Sequence, residues 1–200
     1  MRKKKFLNLK KTFVIAEIGS NHNQSLIKAK KLIRMSSKIG ADAVKFQYLN
    51  YEDMYTNDKR FEKEKKIFKK VCFPENWIPI LNKYSKKFNL IFFFSITSFN
   101  CLKIAIKYKI PILKIASPQF FGNPWLVEAC LKTRKKVILS TGLNNFIEIK
   151  KKIQNLKRKK LLKNSCLLYC ESKYPLKIED FDYKKIFLYQ KTFNLPIGLS

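Results

Sequence analysis

Short apolar runs alternate with lysine-rich amphipathic segments along the whole of this 200-residue chain, and that alternation leaves few folds open. The runs predict strands at Thr12–Ile18, Ala43–Tyr48, Leu90–Ile96, Ile112–Ala116, Lys136–Leu139, Cys166–Cys170 and Pro196–Ser200. Between them apolar positions recur at helical spacing: Leu26, Ala29, Ile33, Ser36 and Ile39 share one face, and the stretches 77–88 and 102–108 behave alike. Ser25, Asn100 and Pro124 lie near helix starts, and Gly40 ends the first helix. Strands joined by helical crossovers form a parallel sheet. No G-x-G-x-x-G follows a strand, which leaves the dinucleotide-binding open sheet without support. Polar residues end at least five of the strands, as expected of a (β/α)8 barrel, whose site is assembled at those ends. The expected fold is therefore α/β: an incomplete (β/α)8 TIM barrel with about seven of its eight strands, forming one domain over residues 1–200.

A chain of this length can bury a sizeable core, and 46% hydrophobic residues with seventeen Phe supply the material. The net charge of +29 raises a nucleic-acid reading, but its distribution opposes it. Lysines are scattered over nearly every connecting segment, whereas Arg, the residue suited to bidentate phosphate and base contacts, occurs only at positions 2, 34, 60, 134 and 158. A solvated polybasic surface is the simpler account. Five widely spaced cysteines without a C-x-x-C pair suggest neither a disulfide framework nor a zinc site, and fit a reducing cytoplasm. The basic start MRKKKFLNLKK followed by FVIAEI mimics a signal peptide, but its apolar run is broken by Glu17. No run reaches the roughly 18 apolar residues that a membrane helix needs.

Glu17, Lys45, Gln47 and Lys114 sit toward the C-terminal ends of otherwise apolar strands. A charge retained there is costly unless it is paired or meets a ligand. Strand alternation puts Lys45 and Gln47 on one face, and Lys114 holds the equivalent place in its own strand. Two ammonium groups gathered at one barrel mouth repel unless an anion lies between them, so a phosphate or carboxylate ligand is expected. Thr97, Ser117, Ser140 and Thr141 add hydroxyls at other strand ends, and Gly142 adds a loop amide. Each feature has a plainer alternative: snorkelling for the lysines, helix capping for the hydroxyls, and a Glu17–Lys45 ion pair that needs no ligand. His22, the sole histidine, is either catalytic or a holder of its Asn-flanked turn. Tyr169, Glu171, Tyr174 and Pro175, in LLYCESKYP, are functional or loop-stiffening.

The motifs AEIGSNHN, GADAVKFQ, KIAS, KVILSTG, the YP of CESKYP and the terminal PIGLS, in that order from Phe13 to Ser200, resemble the sialic acid synthases and their legionaminate, pseudaminate and spore-coat relatives. The resemblance implies condensation of phosphoenolpyruvate with an N-acylated amino sugar to a nine-carbon 2-keto-3-deoxy acid and phosphate. It assigns Lys45 and Lys114 to phosphate and carboxylate, with Thr97, Ser117 and Ser140 as hydrogen-bond donors to the same ligand. Gln47 and Glu17 would orient the reactants. Gln119 stands where the family usually has a Glu after KIAS-x, and with Glu17 it is expected in the catalytic group.

The family uses a divalent cation, manganese or magnesium. The resemblance places a metal-binding His where this chain has Tyr169, and a second in an Asp-His-Thr after PIGLS, where the given sequence stops. No metal ligand is therefore expected here. A C-terminal antifreeze-like domain, which completes a homodimer in the family, is likewise outside residues 1–200. The competing expectations are a non-catalytic anion- or sugar-binding remnant and a polybasic nucleic-acid binder.

Overall fold

The computed structural model describes residues 11–50, 53, 62–173 and 175–200. These form two compact units, the first ending at Pro111 and the second starting at Ile112. The first contains β1 (Ile15–Gly19), α1 (Leu26–Lys38), β2 (Ala43–Gln47), α2 (Glu62–Val71), α3 (Trp77–Lys87), β3 (Ile91–Ser95) and α4 (Phe99–Lys107). The second contains β4 (Ile112–Ile115), α5 (Ser117–Gly122), α6 (Pro124–Lys132), β5 (Lys136–Ser140), α7 (Phe146–Arg158), β6 (Ser165–Tyr169), a 3-10 turn (Ile178–Asp180), α8 (Lys184–Thr192) and β7 (Ile197–Leu199).

Within each unit the strands pair in parallel in chain order: β1–β2–β3 in the first and β4–β5–β6–β7 in the second. This is the α/β series expected of a (β/α)8 barrel, with seven strands among the described residues. Three strand starts, Ala43, Ile112 and Lys136, fall where expected, and the other limits shift by one to three residues. β1 opens at Ile15 rather than Thr12 because Val14 is tied to the turn before β2: its amide donates to Asp42 Oδ2 at 3.0 Å and its carbonyl accepts from Asp42 and Ala43. β5 runs one residue further than expected, through Ser140.

Helix starts follow local chemistry. Ser25 caps α1, accepting from the Lys28 amide at 3.2 Å, and Gly40, at φ +78°, follows its C-cap in a left-handed conformation that glycine adopts without a Cβ penalty. Asn100 is the second residue of α4, near the helix start as expected, and the cap is Ser98, whose hydroxyl accepts from the Cys101 amide at 2.9 Å. Asn145 and Glu148 form a reciprocal capping box that starts α7.

β2 and β3 are nearly continuous apolar runs. Phe46, Phe92, Phe93 and Phe94 are fully buried, as expected of strands covered on both faces, and each such side chain stabilises by about 1.5–3 kcal/mol. Ile112, Leu113, Val137, Leu139 and Leu167 form the corresponding core of the second unit. That density of apolar side chains is what makes the polar strand residues conspicuous.

Candidate active site

In the first unit, parallel pairing sets Glu17 beside Lys45 and Gln47 beside Ser95. Lys45 is 4% exposed, and its ammonium group forms an ion pair with Glu17 and donates to Ser95 Oγ at 3.1 Å. The Glu17 side chain is 52% exposed, so the pair joins a buried cation to a carboxylate that water still reaches. Ser20 Oγ donates to Gln47 Oε1 at 3.2 Å. Gly19, at φ +56°, marks a register irregularity just after Glu17, and a Cβ there would lie 3.3 Å from Glu17 Oε1. The plainer reading of Glu17 as partner of Lys45 therefore holds in the folded chain, and Ser95, which sequence reasoning passed over in favour of Thr97, is the second partner. FFFS showed the same signal, a hydroxyl at the end of an apolar strand. Thr97 Oγ1 is buried without a hydrogen-bond partner, and burial pushes the nearby Cys101 thiol up to about 12.

His22 is fully buried among Phe46, Phe73 and Trp77, with ring centroids 6.3, 5.7 and 5.4 Å away. Its Nδ1 accepts from the Gln24 amide at 3.2 Å, and burial, helped by the charge of Lys28, lowers its pKa. A neutral imidazole walled by aromatic rings holds the turn; it is not placed to exchange protons with a substrate.

In the second unit, Lys114 is half-buried near the end of β4, and its ammonium has no hydrogen bond or ion pair among the described residues. Ser140 ends β5 at 1% exposure, and its Oγ has no hydrogen-bond partner. Ser117, first residue of α5, accepts from the Gly142 amide at 3.0 Å, so that amide is engaged internally. Gly142 is where the loops after β5 and β6 meet: an added Cβ would lie 2.4 Å from Ser172 Oγ, 3.0 Å from Ser117 Oγ and 3.2 Å from Cys170 Cβ. Gln119 is half-buried within α5.

Beside these loops lies a cavity of about 560 Å³, with Phe146, Tyr169 and Tyr189 on its apolar side and Asn144, Glu171 and Lys185 among its polar groups. Thr141 donates to the Leu168 carbonyl at 2.9 Å and meets Tyr189 OH at 3.1 Å. Tyr169 is buried, its hydroxyl donates to Glu171, and Lys185 reaches Glu171 at 3.3 Å. Burial first, then the Glu171 carboxylate, pushes the Tyr169 phenol well above its ordinary range. A protonated phenol spent on a neighbouring carboxylate does not fit a metal-ligand role, and the described residues contain no cluster of three or more His, Cys, Asp or Glu. Pro175 is exposed; Tyr174 lies outside the described residues.

The NeuB family profile matches residues 32–200. The chain belongs to the NeuB family. It is 32% identical to the human N-acetylneuraminate-9-phosphate synthase over 200 residues, covering 94% of this chain and 55% of that protein. It is 30% identical to the N,N'-diacetyllegionaminic acid synthase of Campylobacter jejuni over 206 residues, covering 96% and 61%. The crystal structure of the N-acetylneuraminic acid synthetase of Leptospira borgpetersenii, in complex with citrate, superposes with a TM-score of 0.83 at 31% identity, covering 94% of this chain and 64% of that one. The chain thus spans little more than half the length of the curated relatives it matches. All five cysteines are free, and no helix among the described residues is long and apolar enough to cross a membrane.

Proposed function

We propose that this chain carries the phosphoenolpyruvate-binding part of a nonulosonic acid synthase, acting on an open-chain N-acylated amino sugar of the N-acetylmannosamine kind in surface-carbohydrate biosynthesis. The vinyl carbon of phosphoenolpyruvate attacks the sugar aldehyde, forming the new carbon–carbon bond while the aldehyde oxygen takes up a proton. Water adds to the cation left at C2, and loss of phosphate yields the 2-keto acid. Lys45 and Lys114 hold the ligand's phosphate and carboxylate; Thr97, Ser117 and Ser140 hydrogen-bond to it, and Gln47 helps orient it. Glu17 and Gln119 face the reacting sugar. The family's divalent cation would act as a Lewis acid on the aldehyde; none of the residues described is assigned to hold it. Tyr169 contributes no ligand to it.

The observation that carries this reading is the Ser140 hydroxyl, fully buried and without a partner at a strand end. Six buried side-chain atoms among the described residues lack a partner; of the hydroxyls, Ser85 lies in a helix and Ser165 opens a strand, whereas Ser140 and Thr97 lie at or just past a strand's C-terminal end, where an anionic oxygen can satisfy them. The free cysteines and these substrates suit the cytoplasm, and homodimerisation as in the family is part of the proposal. Calorimetric titration of phosphoenolpyruvate tests the binding part of the reading, with saturable binding expected, and mass spectrometry after incubation with phosphoenolpyruvate, N-acetylmannosamine and manganese tests turnover: any nine-carbon acid formed should be matched by equimolar phosphate. Phosphate released without that acid would overturn the reading. A second reading, ligand binding without turnover, is favoured by the Tyr169–Glu171 contact and by the neutral amide of Gln119; it predicts saturable phosphoenolpyruvate binding and no product.

A further inference from the structure

α5 is the shortest α-helix of the second unit, yet it carries Ser117 and Gln119. It has six residues, its N-cap is Ala116 with no side-chain cap, and a helix so short has little stability of its own. Its last carbonyls have no partners within the helix, apart from that of Gln119, which accepts from the Asn123 amide at 3.0 Å. The carbonyl of Phe120 is taken by Lys152 of α7, whose ammonium donates to it. The same ammonium lies 4.9 Å from the centroid of the Phe120 ring and 5.0 Å from that of Phe121. Phe120 itself is fully buried. A half-buried lysine therefore closes the C-terminal end of α5 with a charge-assisted hydrogen bond and two cation–π contacts, in the position where a positive charge also favours the helix dipole. At the other end, the Gly142 amide fixes the Ser117 hydroxyl at 3.0 Å.

We propose that Lys152 is a positioning residue for the anion site: it anchors α5 so that Ser117 and Gln119 keep the orientation in which they meet the ligand. This rests on the reading that Ser117 contacts phosphoenolpyruvate. Lysine is so abundant on the helices of this chain that nothing in the sequence separates Lys152 from Lys150 or Lys151; only its contacts do.

The test is titration of phosphoenolpyruvate by calorimetry into the wild type, Lys152→Met and Lys152→Arg, each also in a Ser117→Ala background. Lys152→Met is expected to weaken binding about fivefold, the equivalent of one ordinary hydrogen bond, and Lys152→Arg to restore most of it. In the Ser117→Ala background Lys152→Met should change affinity much less, because a residue that acts through Ser117 has nothing left to position. An undiminished effect there, or wild-type affinity in Lys152→Met, overturns the inference. If Lys152→Met does not fold, Phe121→Leu, which removes one ring beneath the ammonium, decides: about twofold weakening supports the inference and none refutes it. Failure of the wild type to bind phosphoenolpyruvate would instead refute the ligand reading on which the inference stands.

Discussion

Lys45 and Lys114 arise from the same sequence signal, a lysine near the end of an apolar strand, but they live in different surroundings. Lys45 is buried and answered by the chain itself, through Glu17 and Ser95. Lys114 is half-buried and answered by nothing among the described residues, in a unit that also holds the unpartnered Ser140 hydroxyl. The first arrangement is stable without a ligand, so its residues should register strongly in folding stability. The second leaves polar groups waiting, so its residues should register in ligand affinity and hardly in stability.

The largest effect that would break this contrast lies at Gly142. Alanine there must displace the Ser172 hydroxyl and crowd the Ser117 hydroxyl and the Cys170 side chain, at a cost of about 2 kcal/mol in denaturant unfolding, whereas Gly122→Ala, with nothing within 4 Å of the new methyl, should cost far less. Equal losses would mean that the loops after β5 and β6 do not converge tightly. Next comes Glu17→Gln, which removes the carboxylate facing a buried ammonium. Thermal unfolding should show a loss of about 2 kcal/mol without added ligand, and an unchanged midpoint would show that Lys45 does not depend on Glu17. Ser140→Ala should leave stability unchanged or slightly raised, since it deletes an unsatisfied hydroxyl, while weakening phosphoenolpyruvate binding about fivefold; a clear loss of stability would show that the hydroxyl already has a partner.

The smallest effect is pH-dependent. The pKa of His22 is lowered from 6.5 by burial, so the unfolded chain binds the proton more readily than the folded one. The His22 contribution is fully present above 6.5 and is lost as pH falls from there toward the folded value. His22→Gln should flatten that part of the stability profile, and an unaltered slope would place the imidazole in water.

The alternation of apolar runs and lysine-rich helices made the strands legible to within three residues, because strands buried on both faces leave little room for another pattern. Strand ends were less legible: Asp42, reaching back to the Val14 amide, decides where β1 begins, and that contact is 28 residues long-range. Glu17, Lys45, Lys114 and Ser140 stood out as polar residues in apolar company. Ser95 carried the same signal and was missed, while the roles of Lys152, Ser172 and Lys185 had no signal at all, since a lysine or serine among many acquires its meaning only from what the fold puts beside it. His22 was left open between catalysis and holding its Asn-flanked turn, and what favours the second is its burial among Phe46, Phe73 and Trp77, none of them its neighbours along the chain.

The central claim is that the unanswered cation of the second unit belongs to a phosphoenolpyruvate site, and calorimetric titration of that ligand tests it most directly. At about 0.15 M salt, where diffuse attraction to a +29 chain is screened beyond about 8 Å, the wild type should bind one equivalent saturably. Lys114→Met should weaken binding roughly tenfold or more, as expected for loss of a charge-assisted contact, with its unfolding midpoint unchanged. Lys159→Ala, which removes only an exposed partner of Glu128, should bind as the wild type does. Equal losses in the two variants, or binding that never saturates, would show that the chain attracts the anion only through its overall charge and would contradict the account.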